Sequence, residues 1–426
     1  MKTIAKILAV IAAAACMAVV GIGCGPKGYV DKSNAVELGA FDRPDYAREM
    51  EEKHDREGRE HIEIPDGAET ITIDGEEYIP ISDLDEVKSL NKNYIMKNDI
   101  YIERSKRIGS WQSTFSGKFH GNNYKIKGKN VSTLFGRIED AKISNIIFSA
   151  DYEPDLNGAI LVDRALNSVI SGCINYSKPK NRIDGLVSRM YCGTVENCIN
   201  YADMASSSGL ICEARFGFAI RDCANYGNIS GGNEFCGGIL AEYYPLYYPF
   251  FIKDHAPGYA QASIENCINE GKIIGGAMIG GLVGGLTTYY DILKILRDLE
   301  NDVPKVETTV IKEAKNYDEG VPKQDFLVIE NCRNEGDIYR EKSKEIERQR
   351  LSGIGGIVGI GSVVRNCTNN GSIYGYEILP RDKSVNKIGG VAGGAYIVED
   401  CTSTTQLKLA DNVVQYGDIC GFLAKD

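Results

Sequence analysis

The chain has 426 residues, with 48 Lys and Arg against 59 Asp and Glu, a formal net charge of −11. At ~100–200 residues per domain that is one large domain or two to three ordinary ones. A hydrophobic share of 43% excludes wholesale disorder, and the acidic balance argues against nucleic acid as a partner, since phosphate binding needs a basic face.

Lys2 and Lys6 open the chain, and Ile7 to Gly23 is an apolar run without a charge. That is the plan of a secretory signal. The run ends at Gly21-Ile22-Gly23-Cys24 and polarity begins at Gly25-Pro26-Lys27. It resembles a bacterial lipoprotein signal, which implies that Cys24 takes the lipid; Ala13-Ala14-Ala15-Cys16 is a second candidate, and Gly21 stands where such signals usually carry Leu. Cleavage with secretion and an uncleaved anchor are the alternatives. Each puts the remaining chain outside the cytoplasm, at a bacterial cell surface in the lipid-anchored case. Residues 1–23 are therefore expected to be a signal peptide.

Residues 24–68 are expected to be an acidic tether. Positions 25–69 carry 13 acids against 7 bases, and few large apolar residues. Such composition does not build a core. His54 and His61 lie seven apart here and do not form a zinc-protease motif. Residues 69–130 are expected to form an N-terminal cap and first rung. Thr70 to Ile81 predicts a hairpin turning at Asp74-Gly75. Asp83 to Leu90 predicts a short helix with Ser82 as its cap and Asp85 at its third position, with Trp111 in the same packing layer.

From 131 to 426 an internal repeat dominates. One submotif is an apolar residue, any residue, then Asn, Asp or Gly, then Cys, any residue, Asn. It centres on Cys173, Cys198, Cys223, Cys267, Cys332, Cys367 and Cys401, at steps of 25, 25, 44, 65, 35 and 34. A second submotif alternates with it: Gly185-Leu-Val, Gly209-Leu-Ile, Gly281-Leu-Val-Gly284, Gly356-Ile-Val-Gly359 and similar runs. The base period of ~25 is that of one solenoid coil. The expected fold is all-β, a right-handed parallel β-helix (β-solenoid) with loop and short helical insertions. It would have roughly eight rungs, ~40 Å at ~4.8 Å each; the hand follows the general preference of parallel crossovers.

These residues resemble the GLUG-type repeats of bacterial surface proteins. Ile279-Gly-Gly-Leu-Val-Gly284 and Glu265-Asn-Cys-Ile-Asn-Glu-Gly271 carry the resemblance, and 81–126 is similar to the segment that usually precedes such repeats. The resemblance implies a β-solenoid at the cell surface. It implies little about activity, because such repeats occur in adhesins, in stalks beside protease domains and in lipoproteins of other kinds.

In a solenoid the seven Cys stack as an interior column, and Cys192, Cys212, Cys236 and Cys420 also read as core. Asn175, Asn200, Asn225, Asn269, Asn334 and Asn369 stack as an amide ladder at a turn. Two before each Cys runs an outward column: Ser171, Glu196, Arg221, Glu265, Glu330, Arg365, Glu399. It reads as a salt-bridge stripe; Glu265 beside Glu330 would approach the ~5–5.5 Å of a retaining glycosidase pair.

Insertions are expected at about 241–259, 286–326 and 340–352. The second has helical spacing at Ile292, Leu293, Ile295, Leu296 and Leu299. The first holds Tyr243, Tyr244, Tyr247, Tyr248, Phe250 and Phe251, six aromatics in nine residues, and is the candidate ligand site; it suits a glycan or a surface protein. No catalytic residue, metal site or cofactor motif is expected. Non-catalytic adhesion leads; a polysaccharide hydrolase or lyase on a β-helix and a purely structural spacer are the alternatives.

Overall fold

Short strands such as Ala262–Glu265 and Leu327–Glu330 alternate buried and half-buried residues, and the long strands bury theirs at steps of two and three. In Val162–Ser171, Val162, Ala165, Ser168 and Ile170 are buried, and their neighbours are half-buried or exposed. Such strands bury one face in a shared interior, where each large aliphatic side chain contributes ~1.5–3 kcal/mol. The computed structural model describes residues 45–103, 106–152, 158–179, 182–232, 235–244, 246–247, 258–259, 261–286, 317–318, 321–322, 327–340, 351–375, 385–409 and 416–423. The signal segment with Cys24, the helix expected at 292–299, and Tyr248, Phe250 and Phe251 lie outside the described residues.

The chain is mostly β, in parallel sheets, an arrangement consistent with a β-helix or solenoid. A long sheet carries two ladders of coils. One runs from Phe135–Glu139 through Ile211–Arg215 and Leu240–Tyr244 to Cys420–Leu423. The other runs through Ala219–Arg221, Ala262–Glu265, Leu327–Glu330 and Val363–Arg365 to Ile397–Glu399. The ten-residue strands Val162–Ser171 and Val187–Glu196 belong to both. Three further sheets, of 11, 6 and 5 strands, complete the coils.

In the 11-stranded sheet one path of ten strands leads from Ile100–Ile102 to Thr402–Ser403, so the stack has more rungs than the Cys motif suggests. The early coils lack the motif because they fill the same columns with larger apolar groups: Phe148 is the register partner of Asn175. Bulky Phe115, Phe119, Phe135 and Phe148 pack the interior there, fully buried.

The amino end differs from expectation in three places. The hairpin is present: β1 (Ile71–Ile73) pairs antiparallel with β2 (Glu76–Ile81), turning at Asp74 (φ 51) and Gly75 (φ 81). The helix expected over 83–90 is only a 3-10 turn, Leu84–Glu86, and its cap is Asp83, not Ser82. The Asp83 carboxylate accepts from the Asp85 amide at 2.8 Å, a local bond that closes one turn and leaves the chain free to resume its coil. Trp111 is not packed in the cap; it is 54% exposed.

The third correction concerns the tether. Helix α1 (Tyr46–Glu57) lies on the flank of the 11-stranded sheet. Tyr46, Ala47 and Met50 pack on Ile147, Tyr176 and Tyr201. Beyond α1, the backbone amide of Ile62 donates to Asn122 Oδ1 at 2.6 Å and His61 stacks on Tyr124 with ring centroids 4.1 Å apart. Composition misled here because the contact is made by a few residues of a polar helix.

Candidate functional site

The repeated residues build the scaffold. The Sγ of each column cysteine lies 3.1–3.5 Å from the carbonyl oxygen two residues before it. All seven thiols are free; Cys173 to Cys367 are buried and Cys401 is half-buried. Of the off-column cysteines, Cys212 and Cys236 are buried, whereas Cys192 and Cys420 are only half-buried.

The asparagine ladder is continuous. Asn175, Asn200, Asn225, Asn269 and Asn334 each donate Nδ2 to the Oδ1 of the next asparagine at 2.7 Å, ending on Asn369. The same Nδ2 of Asn200, Asn225, Asn269 and Asn334 donates to the carbonyl two residues on, at 2.8–2.9 Å. The motif carries a second feature. The residue before each Cys has positive φ: Gly172, Asn197, Asp222, Asn266, Asn331, Asn366 and Asp400, between 47° and 63°. Only Gly, Asn and Asp stand there because they tolerate the left-handed region best.

The outward column holds register from Ser171 to Glu399. Arg221 Nε meets Glu196 Oε2 at 2.9 Å, and Arg365 bridges Glu330 at 3.6 Å and Glu399 at 2.8 Å. Glu265 and Glu330 are register partners, but Glu330 is engaged by Arg365, as a structural stripe would have it.

The structure divides the aromatic candidates. Tyr243 is fully buried, edge-on to Phe218 with centroids 5.1 Å apart, so it belongs to the core and is not offered to a ligand. Tyr244, the next residue along the strand, points the opposite way and is half-buried where the four residues before it are buried. Tyr247 pairs with Gly258 in a small antiparallel ladder.

Around Tyr244 the outer face carries a cluster that motif reading missed. Arg137, Arg164, Arg189, Glu213 and Glu242 are successive register partners. Leu166, Tyr191, Arg215 and Tyr244 form the adjacent column. Glu213, almost wholly buried, pairs with Arg215 and lies 3.5 Å from Arg189. The Arg215 guanidinium lies over Tyr244 at 4.7 Å and Tyr191 at 5.7 Å. Trp111, from the loop between Ile100–Ile102 and Lys118–His120, lies against Arg164, whose guanidinium carbon is 3.2 Å from the ring centroid. The 25-residue step from Arg164 to Arg189 was legible; Trp111, 53 positions before Arg164, was not.

Away from this face, Tyr176, Tyr201 and Tyr226 stack on three coils with centroids 5.1 and 5.0 Å apart, and α1 covers them. His54 Nδ1 bonds the Tyr176 hydroxyl, and the nearly buried Lys125 ammonium meets Glu51 at 2.6 Å and also Asp55. Burial, then the Arg59 charge, lowers the His54 pKa below its ordinary 6.5. Burial would raise the Asp55 carboxyl, but Lys125 and Arg59 outweigh it and hold it below its usual value. Docking is therefore fully supported above pH ~6.5 and weakens as pH falls through the depressed His54 value. Hydrogen exchange of Tyr46–Glu57 is expected to quicken several-fold between pH 7.5 and 5.5 after correction for intrinsic rates. Lys125→Met should quicken it at both. Equal protection at both pH values would show that His54 does not hold the helix.

Elsewhere, the Asp184 carboxyl is pushed up to about 6 by burial, against the opposing Ser188 hydrogen bond of 2.8 Å. It is 4% exposed at a coil corner and so is not presented to a substrate. Among the described residues no helix is long and apolar enough to cross a membrane.

No family model matches the chain, and no curated protein does. A solved structure it is similar to, titled as a "putative immunoglobulin A1 protease" from Bacteroides ovatus, shares 15% identity over 78% of this chain and 77% of that one, with a TM-score of 0.30. A likeness that low carries no argument about activity.

Proposed function

We propose that the chain is a non-catalytic binding module of the bacterial cell exterior, which holds a glycan on the outer face of its long sheet. The observation that carries this reading is Trp111: 54% exposed, yet held against the sheet by Arg164. A ring already held in place loses little freedom when a sugar stacks on it. Beside it Arg215 lies over the buried Tyr191 ring and the half-buried Tyr244 ring, which back the same face from beneath. The reading keeps a right-handed coil, lipidation at Cys24 and kinship with GLUG-type repeat proteins; their support is the signal pattern and the repeat motifs.

The test uses the full chain and its Trp111→Ala variant on a panel of immobilised cell-wall and host polysaccharides, scoring retention and new reducing ends together. Retention without cleavage, weakened at least ~10-fold by the variant, is the expected result; ~10-fold corresponds to about 1.4 kcal/mol. New reducing ends would replace this reading with a carbohydrate-active enzyme. Failure to bind any polysaccharide would reject the glycan.

A further inference from the structure

Among the described residues, the face beside Trp111 holds one cation that no carboxylate pairs with. Arg137, Arg164 and Arg189 are register partners on three successive coils. Their Cα atoms therefore lie ~4.8 Å apart, where like charges oppose one another unless carboxylates intervene. Two of the three have such partners. Arg137 Nη2 meets Glu139 Oε2 at 2.9 Å, and Arg189 Nε lies 3.5 Å from Glu213 Oε2.

Arg164, between them, makes no ion pair among the described residues, and its Nε is shut off from solvent without a hydrogen-bond partner. Burial lowers its pKa from the ordinary guanidinium value, and Arg189 lowers it further; Tyr191, Asp163 and Glu213 pull the other way. Contact with the Trp111 ring offsets part of the cost, ~0.5–2 kcal/mol by the usual scale of such contacts. It leaves the in-plane donors of the fork without the carboxylate-like acceptor they are shaped for. An unpaired half-buried cation is a feature folding alone does not favour. A bound anion removes that cost.

The geometry points to Arg164 as an anion-recognising group of the binding face, its ligand a saccharide that carries a carboxylate or a sulfate. This rests on the glycan reading above. The guanidinium fork takes the two anion oxygens and the exposed Trp111 ring takes the apolar face of the sugar. The acidic chain as a whole repels such a polymer, so capture relies on this local fit and not on long-range steering.

Polygalacturonate supplies the carboxylate arm of the test, dextran sulfate the sulfate arm, and unmodified dextran and xylan the neutral arm. Each is titrated against the full chain, Arg164→Gln, Arg164→Lys and Trp111→Ala at fixed ionic strength. Arg164→Gln is expected to weaken the anionic ligand at least ~10-fold. Arg164→Lys, which keeps the charge but loses the fork, should give part of that loss. Neither should shift the melting temperature much, because no ion pair is removed and, in Arg164→Gln, loss of the Trp111 contact is set against relief of the half-buried cation. Whichever anionic arm binds identifies the group recognised. Anionic binding unchanged in both Arg164 variants would overturn the inference. So would Trp111-dependent binding of neutral polymers alone, which leaves the glycan reading standing. No binding in any arm would reject both.

Discussion

Replacing Asn269 by Asp is expected to be among the most damaging single changes in the coil at pH 7, and much less so in acid. Asn269 sits fully buried in the middle of the amide ladder. Its Nδ2 donates to Gly271 O at 2.9 Å and to Asn334 Oδ1 at 2.7 Å, while its Oδ1 accepts from Asn225 at 2.7 Å. A carboxylate keeps the acceptor and turns both donated bonds into oxygen facing oxygen. Each stranded carbonyl costs ~1–3 kcal/mol, and an uncompensated buried charge ~3–5 kcal/mol more. With two acceptors stranded we expect a loss of about 5–11 kcal/mol on that scale.

The pH dependence has a definite sign. Only the protonated acid restores one donor, so the pKa in the folded chain must lie above the ordinary ~3.9 of Asp. The variant is then most stable relative to the parent below that ordinary value, and loses stability as pH rises through the raised one. Urea unfolding at pH 7 and pH 4, with Asn269→Leu as a variant that does not titrate, separates the charge from the lost amide. Equal destabilisation of Asn269→Asp at both pH values would mean that the ladder tolerates a carboxylate, and that its hydrogen bonds are not what makes Asn necessary.

That ladder was legible because repetition aligns it: every asparagine stands two after a cysteine, so one register argument places all six. The aromatic insertion was not legible in the same way. Tyr243 and Tyr244 are alike in composition, and only knowing that a strand runs through them sends one into the core and the other outward. Helix α1 was read as part of a solvated tether because most of its residues are charged. The clue lay elsewhere in the chain. On the face beneath it the early coils show Ile147, Ile174 and Ile199 with Tyr176, Tyr201 and Tyr226; later coils show Arg333, Thr368 and Thr402 in the first of those columns. An apolar stretch on an otherwise polar outer face calls for a cover. The Arg164–Trp111 contact joins a repeated position to an unrepeated loop, and no periodicity carries that information.

The glycines of the alternating submotif give the second large effect, and they separate two reasons for a glycine. At Gly281 a methyl group would stand 2.2 Å from Gly356 O, 2.3 Å from Asn334 Cγ and 2.5 Å from its Oδ1. The Gly281 amide also donates to Gly356 O at 3.1 Å, so the two coils cannot separate there without loosening that bond. Gly281→Ala should therefore cost ~3 kcal/mol or more, the upper end of overpacking, because the obstacle is backbone on one side and a buried amide on the other. Gly75→Ala is the contrasting case. It has positive φ (81°) at the hairpin turn and nothing within 4 Å, so only local strain opposes it, at ~1 kcal/mol. A double substitution locates the obstacle. Asn334→Ala removes the amide that the added methyl group of Gly281→Ala would strike but leaves Gly356 O in place. The pair should then be less destabilised than the sum of the singles without returning to the level of Asn334→Ala alone. Denaturant midpoints of the four proteins give the coupling. Strict additivity would mean that the clash is entirely with the backbone of the next coil, and full rescue that the asparagine ladder alone dictates the glycine.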